Sequence, residues 1–369
     1  MTVFDKYILK RFLHTFCVLF MATFGLYVVF DLFTNVDAFQ ADSKNTADML
    51  RQIGTYYGYQ AVQFFEMIGT ILVVIAAMVV LAMMHKRSEV HPVLAAGIPT
   101  FRVAVPLIVG AVAVNGALIA NQELLIPSVS HQLQSARGSE ETERREVEPV
   151  YDHFNHMMRI DGGTISPSTR TLHNAIFTLP NPLVTEVVTV STPEAVYYPR
   201  SQRGPGWLLK SARESLQKAS VTEKGREVIL PTQSDDVFIV SRVSFDQLYN
   251  RGSNYKLLSA AQLVQRIRNP ATGFIPIRAQ GMHLHFRVTR PLINIATVLL
   301  TIPLILKRES RSLVTNMAVC TLVLCVFYAV MQASLYFGTA SVIAPDYAAW
   351  LPVVATGAAA AWFAPTVQT

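Results

Sequence analysis

Apolar residues in this chain gather into long uncharged runs instead of the short stripes of a water-soluble fold. The runs are Phe12–Phe30, Met67–Met84, Val103–Ala120, Pro291–Leu306, Leu313–Gly338 and the alanine-rich, weaker Tyr347–Phe363. A helix that crosses a bilayer needs about 20 mainly apolar residues. Each run is read as a span, the fourth extended outward through Met282–Val288. The first is expected to stay uncleaved, because it is long and no small-residue cleavage site follows it before Asn35.

Between the third and fourth runs the pattern changes. "TLHNAIFTL", "LVTEVVTVSTPEAVYY", "REVILP" and "DDVFIVSRVSF" are short stretches rich in β-branched and aromatic residues, and "DGG", "PNP" and "RGPG" punctuate them. That texture predicts an antiparallel sandwich or open jelly roll. In "LSAAQLVQRIRNP" the apolar residues recur at helical spacing (Leu258, Ala261, Leu263, Val264, Ile267), so a helix is expected to lead back to the membrane. The expected fold is an α-helical membrane protein with six transmembrane helices and an inserted all-β jelly-roll-like domain. Residues 1–125 hold helices one to three, 126–281 the inserted domain, and 282–369 helices four to six. The charged run "SARGSEETERREVEP" either continues the third helix or begins a linker, and no solenoid-type repeat is present.

Charge gives the orientation. The chain is 51% hydrophobic and 15% charged, with mean hydropathy +0.34. Its net charge of +6 sits largely in short loops beside the apolar runs, which argues against nucleic acid as a partner. Lys6, Lys10 and Arg11, then Lys86, Arg87 and Arg102, then Lys307, Arg308 and Arg311 fall on one side of a six-span chain. The stretch Asp31 to Gln63, expected as a loop on the other side, carries four Asp against one Lys and one Arg. Positive short loops mark the cytoplasm. Both termini are therefore expected inside and residues 126–281 outside. Cys17, Cys320 and Cys325 all lie in apolar runs, so the outer domain must be held by its core alone.

Enzymatic chemistry finds little support. No Walker motif, GxSxG, HExxH or CxxC occurs. His283 and His285, two apart, face different ways on a helix. Glu66, Asp31 and Asp346 stand at span ends, where carboxylates are mostly solvated. His283, Arg287 and Arg290 share one helix face at i, i+4 and i+7. Either the arginine stems snorkel to headgroups, or the stripe faces a cavity between paired permeases and binds phosphate through the planar guanidinium fork.

One short segment interrupts the apolar runs: "HKRSEVHPVLAAGIPTFRV", residues 85–103. Ser88 reads as an N-cap, Glu89 as a first-turn acid, and Gly97 as the C′ residue, with Pro99 beyond it. This predicts a cytoplasmic helix of about two turns over 88–97. Val90, Val93 and Leu94 form its apolar stripe, and Glu89 and His91 point elsewhere. Such a helix either lies on headgroups or couples to a separate ATPase.

The stretch "SEVHPVLAAGIPTFRVAVPLI" resembles the LptF/LptG permease family, and so in order do "DKYILKRFL", "NQELLIPSV", "LSAAQLVQRI", "HFRVTRPLINIATVLLTIPL" and "IAPDYAAWLPVVATG". In the outer domain the resemblance rests on "GWLLKSA" and "DDVFIVSRVSF". It implies an ABC-transporter permease of the bacterial inner membrane, which pairs with a second LptF/LptG-like permease. The pair binds an LptB-like ATPase dimer and extracts lipopolysaccharide or a related glycolipid, which passes to an LptC/LptA-like periplasmic bridge. ATP would be bound by the partner, so no cofactor is expected in this chain. Ser88, Glu89, His91, Val93, Leu94 and Gly97 would couple to the ATPase, Glu89 matching the family's coupling-helix glutamate. His283, Arg287 and Arg290 are the substrate-contact candidates. Asp31 and Asp37 stand where the family often has basic residues, and Val353 where an Asn commonly follows Trp-Leu-Pro. A mechanotransmitting permease would carry its large domain after the first span, not the third. A secondary carrier would need buried ionisable residues at midplane, where only Asn115, Asn294 and Asn316 stand.

Overall fold

The computed structural model describes residues 2–42, 45–89, 92, 101–134, 145–166, 169–201, 204–217, 220–232, 235–249, 252–268, 271–272, 277–306, 313–340 and 342–363. The chain divides into two compact units, Met1–Val129 with Gly281–Thr369, and Ser130–Gln280.

Six long helices belong to the described residues: α1 (Val3–Asp42), α2 (Thr46–Lys86), α3 (Phe101–Ala120), α4 (Ile277–Leu306), α5 (Leu313–Thr339) and α6 (Pro345–Phe363). Five of them, α1 to α5, are long and apolar enough to cross a membrane. The sixth has 19 residues, about 28 Å at 1.5 Å per residue. Its alanines, Asp346 and Pro352 make it less apolar than the others.

The centre of the helical unit is α2. Of its most apolar window 61% is buried, against 6% for α1 and 11% for α5. Leu72, Val73, Ala76, Ala77 and Val80 of α2 pack with Phe12 and Phe16 of α1, Val103, Leu107 and Ala111 of α3, and Val298 and Ile302 of α4. Small residues let the backbones approach, as they do in membrane bundles. At Gly110 a Cβ would run into the ring of Phe12.

The stretch Asp31 to Gln63 is not the expected loop. The first helix continues to Asp42 and the second begins at Thr46. No proline stands between to stop either helix, and aromatic contacts hold the two extensions together. Phe39 meets Tyr56 edge-on at 5.5 Å, and Tyr27 stacks on Phe64 at 5.2 Å. Tyr57 Oη donates to Asp31 Oδ2 at 2.9 Å. Asp31 is therefore pinned by a neighbouring helix, not simply solvated. At Asn35 (φ −129°, ψ 21°) the helix kinks, and the side-chain amide bonds back to the Asp31 carbonyl at 2.8 Å.

The second unit is built on an antiparallel sheet. Its strands are β1 (Arg145–Glu146), β2 (Val150–Asp152), β3 (Met158–Asp161), β4 (Thr164–Ser166), β5 (Thr171–Leu179), β6 (Val188–Tyr198), β7 (Gly206–Leu209), β8 (Ile229–Pro231), β9 (Val237–Val240) and β10 (Ala271–Thr272). They run β10-β2-β3-β5-β6-β7-β9-β8, with β4 on β5 and β1 on β4. The long pair sets the register, Leu172 opposite Ala195 and Leu179 opposite Val188. Alternation sends Ala175, Phe177 and Leu179 inward, as the period of two requires.

Strands β7 and β9 carry the two family-like segments of this domain, and they pair directly. At Gly206 a Cβ would collide with the Ile239 carbonyl and the Phe238 ring. Trp207, fully buried, donates its indole N–H to the Val243 carbonyl at 3.1 Å. The domain is not all-β. The first half of "REVILP" is helical, in Glu223–Val228, because Thr222 caps it through a 3.2 Å bond from Gly225 N. A further helix spans Ala260–Arg268. Ser259 and Gln262 start it reciprocally: Gln262 N donates to Ser259 Oγ at 3.3 Å and Ser259 N to Gln262 Oε1 at 3.0 Å. That is a capping box.

Candidate functional site

Two clusters of charge stand at opposite ends of the helical unit. The first lies where α2 stops. Glu89 N donates to the Met84 carbonyl and Ser88 N to that of His85, both at 3.0 Å, and Ser88 has φ 55°. This is a Schellman ending with Ser88 in the left-handed C′ position. The expected N-cap role of Ser88 is thereby overturned, since a cap residue needs extended backbone. The second helix runs two residues beyond its last apolar one and places His85 and Lys86 in its final turn. The negative helix end favours such residues.

The Schellman turn carries Glu89 back toward the first helix. Arg11 Nη1 donates to Glu89 Oε2 at 2.9 Å, and Tyr7 Oη lies 3.4 Å from Oε1. The same guanidinium nitrogen also donates to Tyr7 Oη at 3.0 Å. Arg11 is 12% exposed and Glu89 26%, while Arg87, 3.9 Å away, is 60% exposed. A half-screened carboxylate thus stands at the entry of the expected coupling segment, already paired. His91, Val93, Leu94 and Gly97 lie outside the described residues, as does Val90.

The second cluster lies at the other end. Lys86 to Glu66 is about 30 Å along an ideal helix. Glu66 is the sole acid or base between Arg51 and His85, and Glu123 is alone between Arg102 and His131. Each meets an arginine of α4. Arg287 Nη1 donates to Glu123 Oε1 at 3.2 Å. Arg290 donates from Nη1 to the Glu66 carboxylate and from Nη2 to the Glu66 carbonyl. His283 Nε2 stands 3.3 Å from Arg287 Nη2, so all three stripe residues come together in one cluster.

Neither arginine snorkels. Arg287 is 10% and Arg290 23% exposed, because their guanidinium groups turn to carboxylates of neighbouring helices. Glu66, 15% exposed, is not the solvated interfacial acid expected. His285 diverges from His283 and meets Asp346 of α6 at 2.9 Å. Deeper in the bundle, Asn294 Nδ2 donates to Asn115 Oδ1 at 3.1 Å, and Asn115 Nδ2 to the Ala111 carbonyl at 2.8 Å.

Glu123 sits in a π-helical turn, Asn121–Leu125, that continues α3. Asn121 holds the turn by donating to the Val62 carbonyl at 3.0 Å. Such bulges are frequent at functional sites. The roles of Tyr7, Arg11, Glu66 and Glu123 escaped the sequence reading. The signal for the last two was present: one acid alone in each of two apolar stretches, with Arg287 and Arg290 on α4.

A family model described as lipopolysaccharide export system permease LptF/LptG matches residues 6–365, and both clusters lie within it. A search of curated proteins finds no match.

Proposed function

We propose, for a chain that belongs to the LptF/LptG family of lipopolysaccharide export permeases, the role of one permease half in a lipid-exporting ABC transporter. In this reading six helices span the bacterial inner membrane, both termini are cytoplasmic, and the β domain is periplasmic and jelly-roll-like. An LptB-like ATPase dimer docks on residues 88–97 and supplies the nucleotide chemistry, so this chain binds no cofactor of its own. A second LptF/LptG-like permease covers apolar faces of α1 and α5, the two least buried of the five most apolar helices among the described residues. Lipopolysaccharide or a similar glycolipid leaves the membrane between the two permeases and passes to an LptC/LptA-like bridge.

The observation that carries the reading is the family match along nearly the whole chain. The geometry supports it at both ends. Glu89 stands where a docking ATPase could compete for its carboxylate with Arg11. For substrate contact, a lipid phosphate would displace Glu123 from Arg287 or Glu66 from Arg290, since a phosphate offers the guanidinium fork more charge than a carboxylate. His283, 3.3 Å from Arg287, would stand beside the same phosphate. Purification of the chain from its native membrane in mild detergent, with bound proteins and lipids identified by mass spectrometry, tests the assignment. An ATPase subunit, a second permease and a phosphorylated glycolipid are expected. Recovery of the chain with a different ATPase and no glycolipid would overturn it.

A further inference from the structure

The β domain holds a cavity of about 560 Å³ that neither charge cluster touches. Three arginines line it, each from a different part of the chain. Arg170 comes from the turn before β5, Arg242 from the stretch after β9, and Arg266 from the helix Ala260–Arg268. Asp246 is the one acid among the described lining residues.

Arg170 and Arg242 are exposed and Arg266 is half-buried. Arg170 sits in left-handed backbone (φ 52°), and its carbonyl accepts from Tyr197 N at 3.1 Å. Arg242 lies 4.2 Å over the ring of Phe154, a cation–π contact that fixes the planar head. Arg266 has a buried Nη1 with no hydrogen-bond partner among the described residues. Burial lowers its pKa, and Asp246 acts in the opposite sense. None of the three forms an ion pair with a carboxylate among the described residues, in contrast to Arg11, Arg287 and Arg290. The rest of the lining is mixed. Gln265 adds a carboxamide beside Gln262, whose Oε1 is already taken by Ser259 N, and Phe245 and Leu258 an apolar wall. Burial, with Asp246 nearby, raises the pKa of Tyr197, which keeps its hydroxyl a donor.

Guanidinium forks select an anion that accepts two parallel bonds. Carboxamides and one apolar wall suit the hydroxyls and face of a sugar ring. A volume of this order holds a small ligand, and the charge disfavours an acyl chain. We propose that this cavity binds a phosphorylated sugar. It rests on the export reading only for one of two sources, the phosphosugar head of the exported glycolipid; the other is a soluble sugar phosphate.

The test uses the full chain in detergent, without ATPase, so failure of export and failure of this proposal are separable. Glucose 1-phosphate is titrated by calorimetry, with glucose as control. Binding of the phosphate sugar alone is expected, weakened at least tenfold in Arg242→Gln/Arg266→Gln. Gln265→Glu, an exposed change on the lining, should weaken it while leaving all three arginines in place, and so remains informative if the double variant misfolds. Competition by purified lipopolysaccharide assigns the lipid source, and undiminished binding in its presence the soluble one. No heat from glucose 1-phosphate beyond that of glucose would overturn the proposal. So would equal binding by wild type and Gln265→Glu.

Discussion

Arg11 near the start of α1 and Glu89 just past the end of α2 form a 2.9 Å ion pair across 78 positions of sequence. The pair ties the beginning of the chain to the point where the expected coupling segment begins. In the proposed transporter, the carboxylate that would meet the ATPase already has an internal partner. Docking then either exchanges that partner or uses the pair as a preset support.

A charge-assisted hydrogen bond of this kind contributes about 1.5–3 kcal/mol, toward the lower end here because both groups keep some water. Arg11→Gln and Glu89→Gln are each expected to lower the thermal midpoint of the purified chain. The double variant should lose less than the sum, which a double-mutant cycle measures. ATPase retention should fall in both single variants. The exchange Arg11→Glu/Glu89→Arg should restore stability without restoring retention, because the partner would then meet the wrong charge. Strict additivity of the two single changes would show that the pair is incidental.

Asp152 offers a sharper test of the β domain. Its carboxylate is buried and accepts four bonds, from Ser241 Oγ at 2.6 Å, Asn155 Nδ2 at 2.8 Å, Phe154 N at 3.0 Å and Asn155 N at 3.3 Å. Asn155 also reaches the Val240 carbonyl, so the group joins β2 to β9. An amide in its place would turn a donor toward donors. Asp152→Asn is expected to cost about 2–3 kcal/mol, the penalty for buried polar groups left unsatisfied. Fluorescence of buried Trp207 during urea unfolding reads this loss. A midpoint unchanged from wild type would mean that the cluster is not structural.

What the sequence disclosed follows from which forces act locally. Long uncharged runs have one low-energy outcome in lipid, so the helices were legible from hydropathy. The helix Ala260–Arg268 was legible because its apolar residues recur at helical spacing, a signal contained within one short segment. Ser88 misled because a hydroxyl residue in left-handed backbone is uncommon, and glycine is the usual mark of that position. The extensions of α1 and α2 were hidden because Asp31, Tyr57 and the aromatic pairs that hold them act between helices. The ion pairs of α4 were hidden for the same reason. Glu66 and Arg290 lie 224 positions apart, and each alone reads as an interfacial charge.

The expected topology has a direct check. In a cysteine-free background, made by replacing Cys17, Cys320 and Cys325, an exposed residue on each side is changed to cysteine. Ser220→Cys in the β domain should react with an impermeant thiol reagent on intact spheroplasts. Lys86→Cys at the end of α2 should react only after the membrane is opened. Reaction of Lys86→Cys from outside would invert the proposed orientation and remove the coupling role of Glu89.

The Glu66–Arg290 and Glu123–Arg287 pairs join α4 to α2 and to the π-helical turn. Two roles are possible for them, and they respond differently to substitution. As a purely structural lock, the pairs matter through net satisfaction. Breaking one by Glu66→Gln should cost about 3–5 kcal/mol, the usual penalty for a buried charge left without its partner. Replacing both members, Glu66→Gln with Arg290→Met, should recover most of that loss, because well-packed neutral residues often match a buried pair. If the lock is all they provide, transport should return with stability. The proposed phosphate contact requires more. The doubly substituted chain would then be as stable as wild type and still fail to move glycolipid. Arg290→Lys and Arg287→Lys, which keep charge without the planar fork, should reduce crosslinking of lipid to a photoreactive residue at Ile293. Stability is read by thermal unfolding in detergent and transport by lipid release from vesicles loaded with the permease and its ATPase. Transport in the neutral double variant at wild-type rate would confine the arginines to a structural role.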